Sequence, residues 1–170
     1  MDPFAILGIP RSFDVDLGAT EKVHRELSRA LHPDRYVGAS ASERRQALAK
    51  AVAVNEAWRV VRDPIRRAEA LLSLQGVAVG EDREPKPDPE LLLEMLERRE
   101  ALAEARATRD VEAVRGVADV IQRRQAEVRG ALARGFAAGE GESLVSKLGE
   151  LRFLQRLLEQ ASAIEDELAA

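Results

Sequence analysis

Helical periodicity is the pattern that most constrains the fold of this chain. Apolar residues recur at three- and four-residue spacings through most of the sequence, as one face of an α-helix requires. No segment rich in Val, Ile, Thr and Tyr alternates as a half-buried strand would. Leu, Ala, Glu and Arg dominate the periodic segments, and aromatic residues make up only 4% of the chain. The sequence therefore predicts an all-α fold.

Two amphipathic helices in the N-terminal part are separated by the tripeptide His32-Pro33-Asp34. The first is predicted over residues 17–31, and it must stop at His32 because proline disfavours α geometry in the residue before it. The second is predicted from about Ser42, which would be its N-cap. The apolar positions assigned to this second helix are Leu48, Val52, Val61 and Trp58. The pattern gives two helices joined by a rigid polar corner.

A basic helix face lies beside this corner. With a step of about 100° per residue, Lys22, Arg25 and Arg29 gather opposite the apolar residues of their helix. The corner would then present an imidazole and a carboxylate next to positive charge, which suits an acidic protein surface. A simpler interpretation is a capped turn in which Asp34 is only a local hydrogen-bond acceptor. Likewise, the basic residues alone could be just the solvated side of a helix.

Glycine and proline interrupt the helical pattern after residue 75 and divide the chain into two helical units. Three amphipathic helices follow, and short turns between them predict an up-down-up bundle. Their predicted ranges are about 88–107, with Asp88 as N-cap, about 110–133 and about 142–168, with a turn at 135–141. The predicted organisation is an N-terminal unit over 1–75, a linker over 76–88 and a three-helix bundle over 89–170.

The first bundle helix has more apolar residues than one core face requires. Leu91, Met95 and Leu102 fall within about 40° of one another and suffice for that face. A separate sector holds Leu92, Leu93, Leu96, Glu97, Glu100 and Glu104. On the last helix Phe153 is predicted to point away from the Leu144 side. Exposed apolar residues beside charge often mark contact surfaces, although packing against the linker or the first unit would also explain them.

Charge and composition exclude several classes of function. The net charge is -4, with a balance of +2 over residues 1–75 and -6 over 76–170, so the two parts are expected to meet different partners. A sequence pI near 5.4 argues against nucleic acid as a partner. The chain has no cysteine, and it shows neither a signal peptide nor an apolar span of membrane length. We expect a cytoplasmic protein without metal or cofactor.

These residues carry a resemblance to a known family. The tripeptide and its flanks, residues 3–9, 54–58, 62–64 and 67–69, resemble a J-domain over some seventy residues. The segments 67–74, 92–100 and 151–154 extend the resemblance almost end to end, to the HscB family of J-domain co-chaperones of iron–sulfur cluster assembly. This resemblance implies an N-terminal J-domain followed by a C-terminal three-helix bundle.

The resemblance also implies partners and site residues. A seventy-kilodalton heat-shock chaperone would bind His32, Pro33, Asp34, Lys22, Arg25, Arg29 and Arg35, and its ATPase would be stimulated. An iron–sulfur cluster scaffold protein would bind Leu92, Leu93, Leu96, Glu97, Glu100, Glu104 and Phe153. Leu93 stands where some relatives are expected to have Met, which is a mild change of shape. No catalytic step is assigned to the chain itself.

Two alternatives remain open from the sequence. A general J-domain co-chaperone with another client would share the N-terminal unit but not the scaffold-binding surface. An enzyme would rest on His24, His32 and Asp34 as metal ligands or as an acid–base pair. The chain has only two histidines, and no third strong ligand recurs nearby at a fitting helical interval.

Overall fold

The computed structural model describes residues 1–80, 85–87 and 89–169. Over these residues it contains helices and connecting turns without a β-strand, which confirms the all-α prediction. The α-helices are α1 (Pro3–Leu7), α2 (Leu17–Ala30), α3 (Ala41–Arg62), α4 (Pro64–Leu74), α5 (Pro89–Ala107), α6 (Val111–Ala137) and α7 (Val145–Ala169). Short 3-10 helices occupy Pro33–Tyr36 and Glu142–Leu144. The chain divides into two compact units, Met1–Val77 and Ala78–Ala170.

In the first unit α3 is the central helix, and α1, α2 and α4 all pack against it. Its core is made of the fully or nearly fully buried side chains Phe4, Leu7, Phe13, Val54, Ala57, Val61, Ala68, Leu71 and Leu72. Leu48 and Val52 do not join this core, because their side of α3 is open to solvent and they are 60% and 61% exposed. Of the apolar positions named for this helix, Val61 is buried and Trp58 is half-buried.

Local side-chain chemistry sets the helix ends of this unit. Helix α2 ends at Ala30, one residue before the predicted end. Helix α3 is capped by Ser40 rather than Ser42: the Ser40 hydroxyl accepts from the Glu43 amide, and the Glu43 carboxylate accepts from the Ser40 amide. Hydrogen bonding of the Glu43 carboxylate to Ser40, to its side chain first and then to its backbone amide, holds the pKa of Glu43 below its usual value. The predicted N-cap is thus wrong by two residues.

Arg67 ties the loop before α2 to the end of α3. Its side chain is buried, and its guanidinium donates to the carbonyl oxygens of Val61 and Phe13 at 2.6 Å each. The same guanidinium lies over the Phe13 ring, 5.4 Å from its centroid. A buried cation of this kind needs hydrogen bonds to replace its hydration, and here backbone carbonyls supply them. Arg67 is therefore a structural residue of the first unit.

In the second unit α5, α6 and α7 pack against one another, as predicted for a three-helix bundle. Helix α5 matches its predicted range, and Asp88, its predicted N-cap, lies outside the described residues. Helix α6 continues to Ala137, past the predicted end at Ala133. Gly135 is inside this helix and buried, and a Cβ there would collide with the Leu144 side chain. The missing side chain of Gly135 thus leaves room for Leu144, and α6 runs through this glycine instead of ending before it.

Helix α7 is buried over a wider arc than a single leucine stripe. Its buried apolar residues are Val145, Leu148, Leu151, Leu154, Leu157, Ala161 and Ile164. Leu158, next to the buried Leu157, is only half-buried. The arc is wide because α7 packs against both α6 and α5. The buried side of this helix is therefore wider than a single leucine stripe predicts.

Candidate functional site

The His32-Pro33-Asp34 corner is formed by the end of α2 and the 3-10 helix Pro33–Tyr36. Pro33 occupies the first position of that 3-10 helix, where its missing N–H costs nothing. His32 precedes it as N-cap, and its Nδ1 accepts a hydrogen bond from the Asp34 amide at 3.3 Å. The His32 side chain is 59% exposed and that of Asp34 85% exposed. The corner therefore presents both side chains to solvent on a fixed backbone.

The capped-turn interpretation assigned the local hydrogen-bond acceptor to the wrong residue. The imidazole of His32 caps the turn, whereas no backbone amide in the described part of the chain donates to the Asp34 carboxylate. His32 Nδ1 lies 3.4 Å from Asp34 Oδ2, a contact that becomes an ion pair only when the ring is protonated. The Asp34 carboxylate is thus held near the imidazole yet left available to a partner.

Exposed cations lie along the helix that leads to this corner and in the 3-10 helix of the corner itself. Lys22, Arg25 and Arg29 of α2 and Arg35 of the 3-10 helix are all exposed. Arg25 pairs with Glu21 at 2.6 Å, a surface pair one helical turn apart that contributes little to stability. The other three cations have no ion pair among the residues that the structure describes. The α2 face therefore carries positive charge that the unit itself does not neutralise.

His24 takes part in helix packing rather than in the corner. Its ring stacks on Trp58 of α3 with centroids 5.4 Å apart, and its Nε2 lies 3.0 Å from Asn55 Oδ1. Ser28, one turn further along α2, also contacts Nε2 at 3.3 Å. These contacts give His24 a packing role. The enzyme alternative required His24 as a metal ligand or an acid–base group, so it loses one of its three residues. Within the described ranges, no group of three His, Cys, Asp or Glu side chains is arranged to hold a metal ion.

In the second unit the surplus leucines of α5 lie outside the core, as their position on the helix predicted. Leu92, Leu93 and Leu96, here called the leucine ridge, are 48%, 58% and 48% exposed, whereas Leu102 on the same helix is completely buried. The exposed side chains of Glu97, Glu100 and Glu104 form the acidic border of this ridge. The acidic border makes no ion pair within the described part of the chain. The result is an apolar surface flanked by uncompensated negative charge.

Phe153 lies elsewhere than predicted. It is half-buried and lines a cleft of about 440 Å³ between α5, α7 and residues 85–87. Leu91 and Met95, which the sequence assigned to the core face of α5, are half-buried in the same cleft. Phe153 does not face open solvent, and its place in a cleft lined by residues 85–87 agrees with the alternative of packing against the linker. We call this feature the phenylalanine cleft.

A buried carboxylate in the wall of the phenylalanine cleft was not predicted from the sequence. Glu150 is 3% exposed, and its carboxylate accepts from Arg124 at 2.7 Å and from Lys147 at 3.0 Å. Burial disfavours the charge on Arg124, but the carboxylates of Glu150, Glu127 and Glu94 together outweigh that effect and raise the pKa of Arg124 above its usual value. The spacing of Lys147 and Glu150, three residues apart on a helix, could have indicated this ion pair from the sequence. The partner Arg124 could not be found in that way, because it belongs to another helix.

No described helix combines the length and hydropathy that a membrane span requires.

Comparisons with known proteins match both units. Residues 87–162 match the family model described as the HSCB C-terminal oligomerisation domain. The chain is 34% identical over 167 residues to the co-chaperone protein HscB homolog of Cupriavidus taiwanensis, covering 98% of this chain and 95% of that protein. It is 32% identical over 173 residues to the homolog of Vibrio cholerae serotype O1, covering 99% of both.

Solved structures give the same result. The chaperone HscB from Vibrio cholerae matches with a TM-score of 0.87 and 30% identity, over 99% of both chains. The crystal structure of the human co-chaperone protein HscB matches with a TM-score of 0.87 and 25% identity, over 96% of this chain and 81% of that one.

Proposed function

The chain belongs to the HscB family of co-chaperones, and we propose that it links a seventy-kilodalton heat-shock chaperone to an iron–sulfur cluster scaffold protein. Residues 1–75 act as the J-domain that stimulates the ATPase of the chaperone. Residues 89–170 form the bundle that holds the scaffold, and 76–88 join the two. The protein works in the cytoplasm and itself makes or breaks no bond.

The exposed His32-Pro33-Asp34 corner is the observation that carries this proposal. Its turn is complete without the Asp34 carboxylate, which leaves that group and the outer side of the imidazole for a partner. Lys22, Arg29 and Arg35 attract an acidic surface on the chaperone, because complementary charge speeds encounter and fixes orientation. The chaperone then contacts the corner while these cations bind the acidic surface of the chaperone.

The leucine ridge is the scaffold-binding surface. Three leucines that are about half-exposed on one helix make an apolar contact large enough to anchor a partner. The acidic border selects a partner with basic residues beside its own apolar contact. Phe153 contributes from the cleft on the other side of Leu91.

Joining the two sites in one molecule raises the effective concentration of the scaffold near the chaperone. A scaffold bound to the bundle stays close to the chaperone that the J-domain engages, so the second encounter becomes intramolecular. ATP hydrolysis by the chaperone is thereby coupled to capture of the scaffold.

A titration of the ATPase of the chaperone tests this function. The steady-state rate is measured with increasing amounts of this protein, alone and with the cluster-free scaffold protein. We expect stimulation by this protein alone and a further increase when the scaffold is present. Stimulation without any scaffold effect would indicate a general J-domain co-chaperone with another client. Absence of stimulation would overturn the proposal.

A further inference from the structure

Two surface helices of this chain carry complementary patterns, and we infer that the exposed side of α3 in one copy binds the leucine ridge of α5 in a second copy. This side of α3, made of Arg44, Arg45, Leu48 and Val52, is here called the α3 face. The contact needs no other protein, so the inference goes beyond the proposed function. Only its consequence for scaffold binding rests on that function.

The α3 face has no packing role in its own unit. Leu48 and Val52 are 60% and 61% exposed, although both side chains are of a kind that fills cores. The core lies on another side of the helix, because the buried Val54 and Val61 are more than 100° away from Leu48. Exposed apolar side chains on adjacent turns of one helix are typical of a contact surface.

Positive charge adjoins the apolar pair of α3. Arg44 and Arg45 lie one turn before Leu48, and both are exposed. Neither arginine has an ion pair among the residues that the structure describes. Glu43, the acid of the same turn, is engaged by the capping box of the helix. The α3 face therefore combines apolar side chains with positive charge that its own unit does not neutralise.

Negative charge adjoins the apolar side chains of α5. Glu97 and Glu100 follow Leu96 on the leucine ridge, and the acidic border makes no ion pair in the described part of the chain. Arg99 is exposed at the other edge of the ridge, where the three glutamates of the border outnumber it. A partner that carries cations beside its own apolar contact suits this surface, because complementary charge fixes orientation. The α3 face is such a partner.

The two patterns match residue by residue when the helices run antiparallel. Each helix carries one charged and two apolar side chains at four-residue spacing, and each set spans about 12 Å and turns through about 80°. The charged residue comes first on α3 and last on α5. A parallel alignment would therefore oppose a charge to an apolar side chain at both ends, which is costly. The antiparallel alignment opposes Arg44 with Glu100, Leu48 with Leu96, and Val52 with Leu92.

This contact and scaffold binding exclude each other. Leu92, Leu96 and Glu97 belong to both, so a second copy on the ridge occupies the surface proposed for the scaffold. By mass action, the scaffold then dissociates the self-associated chain. The family model is described in terms of oligomerisation of the C-terminal domain. The α3 face, its alignment with the ridge and the competition with the scaffold go beyond that description.

A charge swap between two variants tests the inference in the full chain. The acidic variant carries Arg44→Glu with Arg45→Glu, and the basic variant carries Glu97→Lys with Glu100→Lys. Sedimentation velocity at low salt follows self-association over a series of concentrations. The sedimentation coefficient of wild type should rise with concentration. Each variant alone opposes like charges at the contact, so we expect its dissociation constant to rise about tenfold or more.

The equimolar mixture of the two variants is the decisive sample. The acidic α3 face of one variant meets the basic ridge of the other, so the mixture should associate about as strongly as wild type. Arg123→Glu with Arg134→Glu is the control, because it changes the net charge as the acidic variant does, at exposed positions of α6. It should self-associate like wild type. Far-ultraviolet circular dichroism verifies that each variant is folded.

Three results would overturn the inference. They are a wild type that stays monomeric up to about 1 mM, a mixture that associates no better than its components, and a control as weak as the acidic variant. Leu48→Ala with Val52→Ala gives an independent check, since it should weaken self-association without any change of charge. Unchanged self-association of this variant would also contradict the α3 face.

Addition of the cluster-free scaffold protein separates this inference from the proposed function. We expect the scaffold to dissociate the self-associated wild type. If the chain self-associates as described but does not bind the scaffold, the proposed function fails and the α3 contact stands. If the chain binds the scaffold but never self-associates, the inference fails and the function stands. A scaffold that binds without dissociating the copies would refute the shared ridge.

Discussion

The corner in the first unit and the leucine ridge in the second unit, the two binding surfaces proposed above, are built in different ways. The corner is polar, and its shape comes from three consecutive residues whose backbone is fixed by Pro33 and by the His32 side chain. The ridge is apolar, and it exists only because neighbouring helices cover the other side of α5. The shape of the corner therefore depends on neighbours in sequence, whereas the exposure of the ridge depends on how the bundle packs, although helical spacing already indicates which leucines are left over.

Substitutions in the corner should give the largest effect. His32→Gln or Asp34→Asn is expected to abolish stimulation of the chaperone, because each removes a group that contacts the chaperone, while scaffold binding is unchanged. The ATPase assay measures the loss, and isothermal titration with the scaffold measures the retained binding. Asp14→Asn is the control, since Asp14 is an exposed carboxylate of the same unit. Full stimulation by either corner variant would remove the corner from the mechanism.

Truncation of the leucine ridge should have the reverse pattern. Leu92→Ala with Leu96→Ala is expected to weaken scaffold binding by about 2 to 4 kcal/mol, which is thirtyfold or more, and to spare stimulation without scaffold. Leu48→Ala with Val52→Ala is a matched control, because this pair on α3 has the same spacing and similar exposure. Equal losses in the two double variants would mean that exposed apolar area, not the ridge, sets the affinity.

Loss of the buried cation Arg67 should affect stability alone. Arg67→Met leaves the carbonyl oxygens of Val61 and Phe13 without their donor, and we expect a loss of about 2 to 4 kcal/mol in the free energy of unfolding of the first unit. Arg66→Met, at an exposed position of the same helix, should cost less than about 0.5 kcal/mol. Urea titration followed by Trp58 fluorescence measures both. Similar values for the two variants would refute the structural role of Arg67.

The smallest effect concerns the cap of α3. Ser40→Ala should destabilise the first unit by about 1 kcal/mol because it breaks the reciprocal hydrogen bonds with Glu43. Ser42→Ala, at the N-cap that the sequence suggested, should have almost no effect. The same urea titration distinguishes them, and a larger loss at Ser42 would reverse the assignment.

The sequence was most informative where the controlling interaction is local. Pro33 stops α2 through its immediate neighbour, so the corner could be located without coordinates. The cap at Ser40 could also have been found, because a capping box needs its glutamate three residues later and Glu43 fits Ser40, not Ser42. The exposed position of the leucine ridge followed from helical spacing, because a single core face already accounted for Leu91, Met95 and Leu102.

The sequence was less informative where packing between helices decides the outcome. Phe153 was expected to point outward because one stripe of α7 was taken as its core, but α7 is covered on two sides. Gly135 looked like a turn residue, although its missing side chain serves a close approach to Leu144. The burial of Glu150 depends on Arg124, which belongs to another helix and pairs with it. Each of these features needs a neighbour that is distant in sequence.

The central claim is that both sites must be on the same molecule, and a mixing experiment tests it directly. The His32→Gln variant, which retains the scaffold site, is combined with the Leu92→Ala, Leu96→Ala variant, which retains the corner, and the ATPase of the chaperone is measured with scaffold present. We predict that the mixture shows only the stimulation seen without scaffold, because no single molecule can connect the two partners. Recovery of the full wild-type rate by the mixture would contradict the account.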